Sequence, residues 1–317
     1  MGKVAFVFPG QASQYPGMGK ELADTYPAAK AVFDEADKAL GFSVSKMCFE
    51  GSEEELKLTA NTQPAILTCS VATYRVLEEK GLTPDFVAGH SLGEYSALVA
   101  IGALKFADAV RLVRKRGTYM QEAVPAGQGA MAAIMGLSPA VVIDVCKRAS
   151  NGEICAPANL NSPDQTVISG HADAVKRAVE LASQAGAKRA TILPVSAPFH
   201  CALMMPAQEK LAHDLKKTTF GELRVPLVTN VDADTIETGD AARQALVRQV
   251  STAVRWEESV RLLIEEGVNT FVEVGPGKVL TGLLRQIERS VAALNVEDEK
   301  SLAKTVEKIA GARSDAA

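Results

Sequence analysis

The stretch Gly89-His90-Ser91-Leu92-Gly93 constrains the path of this chain more firmly than any other part of the sequence. Before it, Pro84-Asp85-Phe86-Val87-Ala88 has the pattern of a short apolar strand; after it, Glu94-Tyr95-Ser96-Ala97-Leu98-Val99-Ala100 opens a helix. The chain must pass from strand to helix in a sharp turn, and the flanking glycines remove Cβ atoms where the two elements meet. Such a turn projects the Ser91 hydroxyl with backbone N–H groups beside it, as a nucleophile in acyl transfer requires. Ser91-x-x-Glu94 also fits a capping box, so a plain helix cap is the competing reading.

Strand and helix patterns alternate along the whole sequence, which predicts an α/β fold with a mostly parallel sheet. A strand at 4–8 leads into the loop Pro9-Gly10-Gln11-Ala12-Ser13-Gln14, and helices are expected over 19–40, 63–79 and 106–122. The texture changes at Gly127. Strand 130–135, helix 139–150, strands 154–159 and 165–169, helix 172–185 and strand 189–195 follow in the order βαββαβ, the ferredoxin-like unit. A small subdomain, 127–196, is therefore expected as an insertion into a larger discontinuous domain, 1–126 and 197–317. There, strands at 227–230, 270–274 and 291–296 alternate with helices at 241–250, 256–266 and 279–288, and the tail from Ala310 is expected to fray.

Composition narrows the partners. The 317 residues carry 34 basic and 38 acidic side chains, a net charge of −4, with no basic block, so nucleic acid is not an expected partner. Cys48, Cys69, Cys146, Cys155 and Cys201 are odd in number and form no C-x-x-C pair, as expected of reduced thiols in the cytoplasm. His90, His171, His200 and His213 include no H-x-x-x-H pair, so no metal site is expected. No run approaches the roughly 18 apolar residues of a spanning helix, and the apolar run at 4–8 is too short for a signal peptide.

A serine needs a base. His90 adjoins Ser91, but its place in the turn directs it away from the hydroxyl; His171 and His213 lie in polar surroundings that suggest exposed surface. His200 follows Val195-Ser196-Ala197-Pro198-Phe199, where the two expected domains meet and pockets commonly form. It is either a structural histidine at a strand end or the base. Arg116 is a second candidate. On helix 106–122, at about 100° per residue, it falls with Ala109 and Val113 on the apolar face while Arg111, Arg114 and Lys115 face outward. An inward arginine needs a partner: an internal ion pair, or a substrate carboxylate held in a bidentate fork. The loop Val274-Gly275-Pro276-Gly277-Lys278 lacks phosphate-loop spacing and carries Val279 where Ser or Thr would stand, so no nucleotide site is expected there. The loop at 9–14 instead follows the first strand, where it can direct a second N–H toward the elbow, beside that of Leu92.

Five segments share one pattern: Phe8-Pro9-Gly10-Gln11-Ala12-Ser13-Gln14, Gly89-His90-Ser91-Leu92-Gly93-Glu94-Tyr95, Asn161-Ser162-Pro163, Pro198-Phe199-His200-Cys201 and Glu273-Val274-Gly275-Pro276-Gly277. Together, and in this order over nearly the whole chain, they resemble the malonyl-CoA:acyl carrier protein transacylases of bacterial type II fatty-acid synthesis. The resemblance implies an α/β-hydrolase-like core with an inserted ferredoxin-like subdomain. It implies Ser91 as nucleophile, His200 as base, Gln249 orienting His200 through its backbone carbonyl, and Gln11 and Leu92 as oxyanion donors. It places Arg116 on the malonyl carboxylate, Phe199, Asn159 and Asn161 along the cleft, and Lys188 and Arg189 near CoA phosphates. Malonyl-CoA and holo acyl carrier protein are the implied partners of a cytoplasmic monomer without cofactor. Ala12 departs from the glycine more usual in that loop; if the position needs a left-handed residue, alanine is strained there. Phe199, before His200, resembles malonyl-selective acyltransferases. The other readings are a discrete malonyl transferase of a polyketide pathway, a serine esterase or thioesterase, and a non-catalytic carrier-protein docking module.

Overall fold

The computed structural model describes residues 2–195 and 197–314. Its strands are β1 (Lys3–Phe8), β2 (Phe86–Gly89), β3 (Gly129–Met135), β4 (Cys155–Ser162), β5 (Gln165–His171), β6 (Arg189–Ile192), β7 (Leu227–Val228), β8 (Thr235–Ile236), β9 (Val268–Val274) and β10 (Ala292–Val296). They form a six-stranded sheet, β10-β9-β1-β2-β7-β8, and a four-stranded one, β4-β5-β3-β6. The larger sheet is parallel except where β8 returns antiparallel to β7, and the smaller is wholly antiparallel. The expected α/β fold is present, with the predicted βαββαβ order accounting for the small sheet.

β1 shows why the large sheet is buried on both faces. Phe6 and Phe8 enter one cluster with Ile66, Leu67 and Tyr74 of the helix Thr59–Glu79, while Ala5 and Val7 face Trp256, Val260 and Phe271 on the other side. Each fully buried phenylalanine contributes about 1.5–3 kcal/mol of transfer free energy. The small sheet is tied to the segment just before the helix Trp256–Glu265 along β4: Val254 donates to the Ala158 carbonyl at 2.8 Å and Leu160 donates to the Val254 carbonyl at 2.9 Å. The register of β4 slips twice here, between Pro157 and Asn159 and between Leu160 and Ser162, which re-aims its side chains beside that contact.

Some elements differ from expectation. The helix expected over 19–40 is two, Lys20–Thr25 and Pro27–Leu40, because the ring of Pro27 drives Tyr26 into extended backbone at φ −113° and ψ 118°. The short helices Val44–Glu50 and Glu53–Lys57, capped by Ser43 and Ser52, and the helix Met205–Lys217 were not anticipated. β6 ends at Ile192 rather than at 195. The helix Glu299–Ser314 runs through the point where fraying was expected, anchored by buried Leu302, Thr305 and Ile309. Ser196, at the expected subdomain boundary, and residues 315–317 of the tail lie outside the described residues. Among the described residues no helix is long and apolar enough to cross a membrane, and no group of three or more His, Cys, Asp or Glu is placed to hold a metal.

Candidate active site

The elbow sits at the carboxyl end of β2, between β1 and β7 in the large sheet. Its glycines are there for lack of room. A Cβ on Gly89 would stand 1.9 Å from the Gly93 carbonyl carbon, one on Gly93 1.9 Å from the Phe8 carbonyl oxygen, and one on Gly10 2.4 Å from the His90 carbonyl oxygen. Only glycine lets the loop after β1 pack against the turn in this way. Ser91 itself has φ 51°, a left-handed conformation that costs a non-glycine residue about 1–2 kcal/mol. Hydrogen bonds hold it: the Ser91 N–H donates to Asn230 Oδ1 at 2.7 Å, Gln249 Nε2 donates to the Ser91 carbonyl at 2.9 Å, and Asn230 Nδ2 ties back to the Gly89 carbonyl at 2.7 Å.

The capping box does not form. The Glu94 carboxyl accepts from the Asn230 N–H at 3.0 Å and from Gln249 Nε2 at 2.9 Å, and the helix Gly93–Ala100 starts without a side-chain cap. Ser91 Oγ lies instead 2.7 Å from His200 Nε2. His200 Nδ1 is 2.9 Å from the Gln249 carbonyl, which can only accept, so the imidazole proton sits on Nδ1 and Nε2 presents its lone pair to the serine hydroxyl. Burial, and after it the Arg116 charge, push the His200 pKa down to about 3, so the ring is neutral. His200 is also left-handed, at φ 58°, and so is Ala12, at φ 82°. The residue type at position 12 thus departs from glycine where the backbone does require a left-handed residue. Strain of this kind concentrates at functional sites.

Arg116 projects inward from the helix Phe106–Glu122 and is buried, as its place on the apolar face predicts. It forms no ion pair among the described residues. Its Nη1 donates to Gln63 Oε1 at 2.8 Å; its Nη2 donates to Gln249 Oε1 at 2.9 Å and to Ser91 Oγ at 3.1 Å; Nε has no partner among the described residues. The guanidinium also lies over the Tyr95 ring, 5.4 Å from its centroid. A buried cation held only by neutral oxygens, beside a serine hydroxyl, is a site ready for an anion.

Of the other candidates, Gln11 anchors its side chain to Thr59 Oγ1 at 3.3 Å and accepts from Gln63 Nε2 at 3.4 Å. The backbone N–H groups of Gln11 and Leu92 have no partner among the described residues. Asn161 pairs with His90 Nε2 at 2.9 Å and donates to Gln165 Oε1 at 2.9 Å, which holds His90 away from Ser91. Asn159 is buried where β4 meets Val254, and Phe199 is buried beside His200. Lys188 and Arg189 are exposed and share no hydrogen bond with Ser91, His200 or Arg116; Lys188 pairs with Asp164 at 3.4 Å and Arg189 Nε donates to Thr191 Oγ1 at 3.1 Å. His213 is exposed as expected, whereas His171 is half-buried because its Nδ1 accepts from the Ile154 N–H at 2.9 Å. The helix after Gly277 offers no phosphate site: the Glu273 carboxylate accepts from the N–H groups of Leu280 at 3.0 Å and Thr281 at 2.7 Å. Gln63, Tyr95 and Asn230 also border the site and carry no role in the sequence pattern, because each sits in a segment whose apolar periodicity marks it simply as core; Glu94 reads there only as the partner in a capping box.

A serine on a strand-to-helix elbow, paired with a neutral histidine in an α/β fold, is an arrangement common to serine hydrolases and acyl transferases, and residues 5–311 match the family described as the acyl transferase domain, which places the chain among the transferases. The malonyl CoA-acyl carrier protein transacylase of Bacillus subtilis (strain 168) is 52% identical over 303 residues, covering 95% of this chain and 96% of that protein. The solved structure of the malonyl CoA-acyl carrier protein transacylase from Coxiella burnetii superposes with a TM-score of 0.95 at 45% identity, covering 96% of this chain and 97% of that one. A malonyl-transacylase solved in complex with a type II PKS acyl-carrier protein superposes at 0.94 with 48% identity, covering 96% and 99%. The chain belongs to the malonyl CoA-acyl carrier protein transacylase family.

Proposed function

We propose that this enzyme moves the malonyl group of malonyl-CoA to the phosphopantetheine thiol of holo acyl carrier protein, by way of a malonyl ester on Ser91, to supply fatty-acid synthesis. The observation that carries the choice of acyl group is Arg116 Nη2, 3.1 Å from Ser91 Oγ. In the first half-reaction Ser91 Oγ bonds to the thioester carbonyl carbon while its proton passes to His200 Nε2. The carbon–sulfur bond then breaks and the proton leaves on the CoA sulfur. In the second, the carrier thiol attacks the ester, His200 takes the thiol proton, and the serine oxygen receives it as the ester bond breaks. The Gln11 and Leu92 N–H groups receive the oxyanion in both steps. The Gln249 carbonyl keeps the proton of His200 on Nδ1, which leaves Nε2 free as base.

Arg116 takes the malonyl carboxylate in a two-pronged grip; an acetyl group leaves the guanidinium without an anion. Phe199, Asn159 and Asn161 border the acyl and pantetheine path, and Lys188 and Arg189 meet CoA phosphates at its exposed end. The reading includes a cytoplasmic monomer whose macromolecular partner is the carrier protein, not nucleic acid or membrane. It also divides the chain into a catalytic domain, 1–126 and 197–317, and a small subdomain, 127–196. The relative solved with a type II PKS carrier protein supports one alternative, malonyl transfer in a polyketide pathway. Arg116→Ala is expected to lower kcat/KM for malonyl-CoA by at least about thirtyfold more than for acetyl-CoA, given the usual 2–5 kcal/mol for a desolvated charged contact. Equal losses on the two thioesters would remove the carboxylate grip.

A further inference from the structure

Arg116 and Glu94 are two buried charged residues that do not touch, and one amide joins them. Gln249 Oε1 accepts from Arg116 Nη2 at 2.9 Å, while Gln249 Nε2 donates to Glu94 Oε2 at 2.9 Å. The amide therefore turns its oxygen to the cation and its nitrogen to the acid, and charge at either end polarises it in the same sense. Glu94 Oε1 is buried with no hydrogen-bond partner, as is Arg116 Nε. Neither charge is tolerable alone in so dry a place.

We propose that Glu94 is the internal counter-charge of Arg116 in the empty enzyme, and that it takes up a proton from solvent when the malonyl carboxylate reaches the guanidinium. The inference rests on the reading that Arg116 binds that carboxylate. With substrate bound, two carboxylates compete for one guanidinium, and the more distant one, with an oxygen left unpaired, is the one neutralised. Burial raises the Glu94 pKa to about 7, against the pull of its hydrogen bonds to Asn230 and Gln249 and of the Arg116 charge, so the change falls in the working range. The other groups facing Glu94 do not compensate it. Asp232 adds negative charge but is paired with Arg248 at 2.6 Å, Tyr95 is held neutral by burial, and His200 is neutral. Glu94 acts through Gln249 and is thus a positioning residue that sets the charge the acyl site demands.

Below its pKa Glu94 is already neutral and malonyl-CoA binds without competition; above it the ionised acid must be protonated first. KM for malonyl-CoA should rise with pH above about 7, by at most tenfold per pH unit, while KM for acetyl-CoA stays flat. The experiment is malonyl loading in weak buffer with a pH indicator at pH 7.5, beside acetyl loading of the same enzyme. Acyl exchange between serine and thiol releases no net proton, so uptake with malonyl-CoA but not acetyl-CoA is the expected result. Glu94→Gln keeps an acceptor oxygen for Asn230 and Gln249 but carries no charge; it should abolish the uptake and flatten the malonyl KM profile. Equal uptake with both thioesters, or none with either, overturns the proposal in the wild-type enzyme alone, whatever the variant's stability. Where the uptake fails in this way, Arg116→Ala tells the two readings apart: selective loss of malonyl transfer leaves the grip standing and refutes only the role of Glu94, whereas equal loss on both thioesters means that the grip itself has failed.

Discussion

At the scale of single residues, the chemistry depends on which atoms are forced to be neutral. His200 is suited to the proposed role of base because a carbonyl fixes its proton on Nδ1 and because burial beside Arg116 keeps it uncharged down to about pH 3. An unperturbed histidine would lose half its basic form at about pH 6.5. The acid limb of kcat/KM, which reports the free enzyme, should therefore lie well below that value in the wild type. Removing the guanidinium removes one cause of the depression. In Arg116→Ala the acid limb, followed with acetyl-CoA, is expected to move to higher pH; a limb that stays in place would mean that Arg116 does not tune the base. Ser91 and Arg116 were legible in the sequence because a Gly-x-Ser-x-Gly turn and an arginine on an apolar helix face are local patterns. Glu94 was not, because its role depends on Gln249 and Asn230, which approach only through the fold.

Among elements, the loop after β1 meets the elbow so closely that the glycines at 10, 89 and 93 are fixed by contact, while position 12 is fixed by its dihedral angle. Ala12 at φ 82° carries strain that glycine would relieve. Ala12→Gly is expected to change stability by no more than about 1 kcal/mol in the favourable direction, since the gain of relief is offset by the extra freedom of the unfolded chain. Denaturant unfolding would check it, and a clear destabilisation would contradict the strain. Helices with a strong apolar stripe, such as Phe106–Glu122, could be bounded from sequence alone. Short ones such as Glu53–Lys57 could not, since a single turn carries too little periodicity to distinguish it from a loop. The break at Tyr26 was available in principle from Pro27, whose effect on the preceding residue outweighs the continuous helical pattern around it.

Over the whole molecule, the site depends on segments that are far apart in sequence but meet at the carboxyl ends of the parallel strands. β1 brings the loop with Gln11, β2 brings Ser91, the segment leaving the small sheet brings His200, and β7 brings Asn230. The alternation of strands and helices made this layout readable, and the βαββαβ order located the small sheet, but the register slips that bring β4 against Val254 have no sequence signature. In the proposed reaction a malonyl group rests covalently on Ser91 between two thiols. Intact-protein mass spectrometry after malonyl-CoA addition, followed by a chase with holo acyl carrier protein, tests it most directly. A single malonyl adduct that is absent in Ser91→Ala and passes to the carrier protein on the chase is the predicted result. An adduct that survives in Ser91→Ala, or malonyl-CoA consumed with the acyl group lost to water and none on the carrier, would contradict it.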